Sequence, residues 1–331
     1  MTIIPAVLAV GGYLFNLTVS RNEQKNTQLR DQTERDIASD NQREDALQAY
    51  IDKMSELLLR EKLRDSTEDD EVRKIARVRT LTVLPRLDNE RKRSVIKFLH
   101  ESGLIKKDKT IIDLREADLR KASLDITNLQ GANLSGAKLM EADLSGANLE
   151  SSNLRRAKLM KADLSDANLS SADLTFADLT GANMRKAGLN DANLSDANLE
   201  GADLRQATLR GNTILKYSKL KGADLSKADL KFVNLEGADL TGAILVETYL
   251  RLANLRVADL TGANLRKARL WDADLSEADL KGADLREADL KGGDDLKGAN
   301  LDGTNLTGVN LAGAKITQIQ LDQAKSLEGA T

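Results

Sequence analysis

The sequence predicts a mainly β protein whose C-terminal two-thirds is a single solenoid, preceded by an α-helical N-terminal region that opens with a transmembrane helix. Three observations carry this. A large aliphatic residue returns at every fifth position over most of the span from Leu114 to Leu321, residues 46–103 carry apolar residues at helical spacing, and Ile3 to Val19 is a seventeen-residue apolar run without a charge. Composition agrees with a repeat architecture. An aromatic content of 3% and two prolines in 331 residues are too little for an ordinary mixed core.

The five-residue phase runs from Leu114 to Leu209, from Leu215 to Leu290 and from Leu296 to Leu321, giving 42 units. Forty centres are Leu, with Met184 and Ile316 as the exceptions, and the residue two before the centre is Ala in 31 of them. On an α-helix a five-residue step advances about 500°, so such leucines would wind around every side instead of lining one stripe. A period-two strand fails as well. What remains is a coil that turns a corner once per unit, with the Leu and the preceding Ala inward and three positions facing water. Asp or Asn stands just before the centre in 30 units, where a short polar side chain can hydrogen-bond the turning backbone. Two units have six residues, with Arg210-Gly211-Asn212-Thr213-Ile214 and Lys291-Gly292-Gly293-Asp294-Asp295 between their centres. Each reads as a bulge that keeps the coil in phase, with Gly available for unusual dihedrals. After Leu321 the spacing fails, and Lys325-Ser326-Leu327 is expected to cap or fray the open end.

The runs A-D-L-S-G-A-N-L (142–149) and A-D-L-K-G-A-D-L (278–285) resemble the pentapeptide-repeat family, and the resemblance covers residues 111–325. It implies a right-handed quadrilateral parallel β-helix with four units in each coil. On that geometry the 42 units make about 10.5 coils and a rod of roughly 50 Å.

Ahead of the repeats, Arg21, Lys25, Arg30 and Arg35 follow the apolar run and nothing basic but the terminus precedes it. This predicts a helix across residues 1–20 that spans the membrane once, amino end outward, with the repeat domain cytoplasmic. A cleaved signal peptide, helped by the small residues Thr18 and Ser20 but lacking a basic start, and a helix docked on protein are the alternatives. Residues 21–45 read as a polar helical stalk. Residues 46–110 carry three amphipathic stretches around Tyr50 and Met54, around Ile75 and Val78, and around Val95 and Leu99, and predict a small helical cap over the first coil. Residues 326–331 form a tail. An apolar segment, a helical stretch such as Leu47 to Leu59 and then repeats is similar to the layout of membrane-associated members of the same family.

No cysteine and one histidine, His100, leave no disulfide, no Cys/His zinc set and no Cys/His or Ser/His pair of the usual kind. There is no phosphate-binding glycine loop and no metalloprotease or EF-hand motif. The corner carboxylates share one wet environment, whereas acid–base chemistry needs two pKa values pulled apart. Neither an enzyme nor a cofactor or metal is expected. Residues 111–331 carry 28 Lys and Arg against 33 Asp and Glu, which is no nucleic-acid footprint.

The informative residues are outward positions that are not polar. Residues 20 apart should stack, placing Phe232 against Leu252, Arg251 against Trp271 and Tyr249 against Arg269, with Ile244, Val246 and Val257 on adjoining units. Aromatic, aliphatic and Arg side chains on an otherwise polar wall predict an interface for a protein partner. The plainer reading is packing between coils, with Arg251 over Trp271 as a cation–π contact. A weaker column joins Lys138 to Lys158 and Met140 to Met160. The function predicted is a membrane-anchored, non-catalytic protein–protein interaction scaffold. The alternatives are a purely structural rod, or the DNA mimicry by which some members of the family bind type II topoisomerases, a task for which the charge balance is mild.

Overall fold

The computed structural model describes the backbone of residues 4–106 and 109–331, and side chains for 21–105 and 110–331. The chain divides into two units, Met1–Ala49 and Tyr50–Thr331. Helix α1 (Ile4–Leu59) contributes to both, and its side chains from 21 to 38 are exposed.

In the second unit α1 is followed by α2 (Glu71–Val83) and α3 (Asn89–Glu101). Helix α2 tightens at its end into a 3-10 turn, Leu84–Arg86, in which Leu84 is still helical, and Pro85, with no N–H to donate, cannot extend the α ladder. The Asp88 side chain caps α3 by accepting from the Arg91 N–H at 2.9 Å. Gly103, at φ 73°, ends it in a Schellman motif, with the N–H groups of Gly103 and Leu104 donating to the carbonyls of His100 and Leu99. Met54, Leu63, Leu84, Val95, Ile96 and Leu99 are fully buried between these helices. The Tyr50 hydroxyl and Thr80 Oγ1 share a hydrogen bond of 2.9 Å, and burial raises the Tyr50 pKa. A two-residue hairpin, β1 (Ile105–Lys106) with β2 (Lys109–Thr110), leads into the coil.

From Leu114 the chain winds with one parallel bridge per unit between residues 20 apart, such as Asp163↔Asn183, so four units complete a coil. The inward Leu and Ala ladders are buried throughout the middle of the rod. One unit shows why the repeat has this composition. Around Leu164, the Ala162 N–H donates to the Leu159 carbonyl at 3.0 Å and closes the corner. The Asp163 N–H reaches back to the Ala142 carbonyl at 2.9 Å, while those of Leu164 and Asp166 reach forward to the carbonyls of Asn183 and Arg185 at 2.7 and 2.9 Å. Only the Ser165 N–H finds no backbone acceptor, and Asp163 Oδ1 accepts it at 2.9 Å. Asp or Asn before the centre thus completes the hydrogen bonding of the unit. Asp166 itself has φ 57°, the positive value that the third residue of a type II turn needs, which is why Gly recurs at this slot.

The first coil has no coil before it, so its carbonyls need other donors. They come from basic side chains of α2 and α3. Arg73 donates to the Ile111 carbonyl at 2.8 Å, Arg77 to Arg115 at 3.2 Å, Lys92 to Arg120 at 2.7 Å and Arg93 to Asp125 at 2.9 Å. Burial lowers the pKa of Lys92, which lies against the Arg120 carbonyl.

At the other end Leu321 is no repeat centre. Thr317 and Gln320 form a reciprocal capping box that starts α4 (Gln318–Leu321). Gln320 turns inward and donates to the carbonyls of Leu296 and Ala299 at 2.6 and 3.0 Å. Pairing then resumes through Asn305↔Ser326.

Two parts of the predicted fold class are corrected. Among the described residues no helix is long and apolar enough to cross a membrane. This overturns the transmembrane helix expected through Ile3–Val19, together with the single-pass membrane localisation and cytoplasmic repeat domain built on it. Seventeen helical residues rise about 26 Å, less than the roughly 30 Å hydrocarbon core, and α1 runs on without a break into a polar sequence. Ile3 lies outside the described residues, as do the side chains of residues 4–20. The label mainly β also falls. Among the described residues the only named strands are β1 and β2, two residues each, because a corner in every five residues leaves one bridging residue per unit.

Candidate interaction surface

Three stacked units on one side of the rod, one from each of three consecutive coils and centred on Leu230, Leu250 and Leu270, bring together six of the nine predicted residues. Tyr249 and Arg269 bridge on neighbouring coils, and the Arg269 guanidinium lies 4.6 Å from the Tyr249 ring centroid. Phe232 and Leu252 occupy the same corner slot one coil apart, both at positive φ and both exposed. Arg251 and Trp271 share the slot before it, where their carbonyls accept the N–H groups of Phe232 and Leu252 at 3.0 and 2.9 Å. Ile244 and Val246 belong to the preceding side, around Leu245, and Val257 to the following side, around Leu255. Phe232 is 56% exposed and Val257 51%, so neither is held in place by packing alone.

The cation over Trp271 is Lys291, at 4.1 Å, where the sequence reading expected Arg251. Lys231 lies 5.2 Å from the Tyr249 ring. Both lysines escaped sequence reasoning, although the 20-residue rule places Lys231, Arg251, Trp271 and Lys291 in one column. The same rule would have found a second aromatic group on the following side. The guanidiniums of Arg155 and Arg156 lie 5.9 and 5.7 Å from the Phe176 ring centroid, and the Tyr217 ring lies across Gly237, where a Cβ would come within 2.6 Å of it. Lys138 and Lys158 bridge as expected for the weaker column.

Beside Tyr249 the corner opens into a groove of about 570 Å³, lined by Gln206, Lys227, Glu247, Tyr249, Lys267 and Arg269. Its lysines are neutralised, Lys227 by Glu247 at 3.7 Å and Lys267 by Glu287 at 3.6 Å. Lys231 and Arg210 converge on Asp229, at 3.5 and 2.6 Å, and Lys291 reaches Asp289 at 3.7 Å. His100 stands apart, in a cleft of about 390 Å³ with Lys97, Arg93 and the exposed Ile126. Among the described residues no group of His, Asp or Glu is arranged to hold a metal ion.

These features define a four-sided solenoid of five-residue units that carries side-chain columns on its outer sides. The Pentapeptide repeats family model matches residues 112–146, 137–175, 172–211, 218–256, 253–292 and 295–325, and the chain belongs to the pentapeptide-repeat family. Among solved structures it is similar to HetL, a pentapeptide repeat protein involved in heterocyst differentiation regulation from the cyanobacterium Nostoc sp. strain PCC 7120, with 34% identity over 66% of this chain and 96% of that one, at a TM-score of 0.44. It is also similar to QnrB1, a plasmid-mediated fluoroquinolone resistance protein, with 21% identity over 60% and 88% of the two chains and a TM-score of 0.26. A pentapeptide repeat protein of the Arabidopsis thaliana thylakoid lumen matches at 27% identity over 37% and 70%, with a TM-score of 0.16. No curated protein matches the chain significantly.

Proposed function

We propose that this protein is a non-catalytic protein–protein interaction scaffold, a repeat rod that binds its partner through Phe232, Ile244, Val246, Tyr249, Arg251, Leu252, Val257, Arg269 and Trp271. The observation that carries the reading is the exposure of Phe232, Leu252 and Val257 beside Tyr249, Arg269 and Trp271, on a rod whose outer positions are otherwise mainly Asp, Asn, Ser, Lys and Gly. Exposed apolar side chains set among aromatic and Arg groups supply buried anchors at interfaces, and isolated polar walls do not. The groups stand on a backbone bonded to the coils on both sides, so little ordering cost is left to binding. The test is crosslinked capture from the native cell with the full chain and with a variant carrying Phe232→Ser, Tyr249→Ser and Trp271→Ser. Loss of specific partners from the variant is expected. Recovery of the same partners in the same yield would remove this surface from the function.

A further inference from the structure

We infer that the partner presents an acidic segment to this surface, and that Arg251 and Arg269 are the groups that receive its carboxylates. The inference rests on the scaffold reading above and adds the chemistry of the occupant. It starts from the ion pairs of the wall. Lys227, Lys231, Lys267, Lys291 and Arg210 each have a carboxylate within 2.6–3.7 Å. Among the described residues Arg251 and Arg269 have none, and both are exposed. Two acids in adjoining slots, Asp272 beside Trp271 and Asp289 paired with Arg269 by a backbone bridge across the coils, are engaged elsewhere. Asp272 Oδ1 accepts the Gly293 N–H at 2.9 Å, and Asp289 Oδ1 accepts from Asn310 at 3.1 Å. Two guanidiniums on consecutive coils are therefore left without a counter-charge inside the protein.

Their setting favours recognition over solvation. The Tyr249 ring under Arg269 holds its planar group against the wall, and the groove beside that pair is open to an incoming chain. A guanidinium presented in this way offers two parallel N–H groups to one carboxylate, a stronger and more directional contact than a lysine makes. Phe232, Leu252 and the Trp271 ring supply apolar contact beside it. The fitting occupant is thus a polypeptide that mixes Asp or Glu with large apolar residues. A nucleic acid would also find aromatic surface here. Its backbone needs a track of uncompensated cations, however, and the four lysines around the patch, Lys227, Lys231, Lys267 and Lys291, are already paired.

The test uses the full chain and a fluorescein-labelled peptide of alternating Glu and Phe, followed by anisotropy at two salt concentrations. Binding that weakens with salt is expected, along with a loss of about tenfold or more in Arg251→Glu/Arg269→Glu and a smaller loss in Arg251→Lys/Arg269→Lys, whose ammonium groups keep charge but not the fork. The acidic-partner inference is overturned by no binding, by equal binding of an alternating Lys and Phe peptide, by unchanged affinity in the double reversal, or by tighter binding of a single-stranded DNA oligomer. Cell capture separates the two levels. If the triple Ser variant loses partners and the Arg reversal keeps them, the acidic occupant falls and the scaffold reading stands. If neither variant loses partners, both fall.

Discussion

The two six-residue units solve one problem with different chemistry. Each inserts a residue at a corner beside a glycine of positive φ, Gly211 at 74° and Gly292 at 103°, and each leaves the parallel pairing in phase, Asn193↔Ile214 and Asp274↔Asp295. In both, a carboxylate one coil earlier takes the stray N–H. Asp191 Oδ1 accepts from Asn212 at 2.8 Å and Asp272 Oδ1 from Gly293 at 2.9 Å. They part at the inward slot that alanine normally fills. Thr213 donates its hydroxyl toward the carbonyls of Leu189 and Arg210, at 2.9 and 2.8 Å. Asp294, equally buried, accepts the Ala273 N–H through Oδ1 at 2.6 Å, and its Oδ2 has no partner. The comparison teaches that the bore has carbonyls to spare and few free N–H groups. A buried hydroxyl can serve it, and a carboxyl group can serve it fully only while it carries a proton.

The harshest way to break that rule is Leu235→Asp in the middle of the rod. There a carboxylate would replace a buried leucine with no spare N–H beside it, at a cost of at least about 3–5 kcal/mol from lost burial and an unsatisfied polar group. Thermal unfolding followed by circular dichroism should show a transition that is broadened or lost. A melting temperature within about 2 °C of the parent would mean that the leucines do not fill a continuous core.

Asp294→Thr transplants the solution of the first unit into the second. Burial, reinforced by the negative charges of Asp272 and Asp289, pushes the Asp294 pKa up to about 7. Between about pH 4 and 7 the folded chain therefore holds a proton that the unfolded chain has released. Stability from this group is full below about pH 4, declines as pH rises, and is lost once pH passes 7. At pH 8 the Thr variant should be more stable by roughly 1–3 kcal/mol, the cost of an unsatisfied buried group, and its melting temperature should be flatter between pH 4 and 8. A parent protein with no decline over that range would show that Oδ2 is satisfied in some other way. The converse change, Thr213→Val, keeps the shape and removes the donor. It should cost about 1 kcal/mol at every pH, because the Leu189 carbonyl still accepts the Ala192 N–H.

What the sequence disclosed about these slots follows from the period. The five-residue phase is enough to place Leu and Ala inward, to assign Asp and Asn to the corners and to align Tyr249 with Arg269, because a fixed repeat turns sequence distance into spatial distance. It does not say which cation covers Trp271, a matter of side-chain rotamers that falls to Lys291. The donors from Arg73, Arg77, Lys92 and Arg93 to the first coil depend on how two helices dock, and no spacing encodes that. The end of the rod was readable and missed. Thr317-Gln318-Ile319-Gln320 is a capping-box signature, and counting Leu321 as another centre passed over it. The apolar run of seventeen residues misled because length and hydrophobicity near a threshold do not determine where a segment resides.

The subtlest difference between the two corners lies in their outer carboxylates. Asp191 and Asp272 hold equivalent N–H groups, yet only Asp272 has an ionisable neighbour in the bore. Asparagine keeps the accepting oxygen and removes the charge. Asp272→Asn should therefore make Asp294 easier to ionise and move the pH midpoint of the stability loss below 7, with little change in stability at pH 4, where Asp294 is protonated in the fold. Asp191→Asn should leave that midpoint where it is, since Thr213 does not titrate. Melting curves of both variants across pH 4 to 8 make the measurement. If the two variants shift the midpoint alike, or neither does, the charge of Asp272 is not felt at Asp294, and the decline belongs to burial and Asp289.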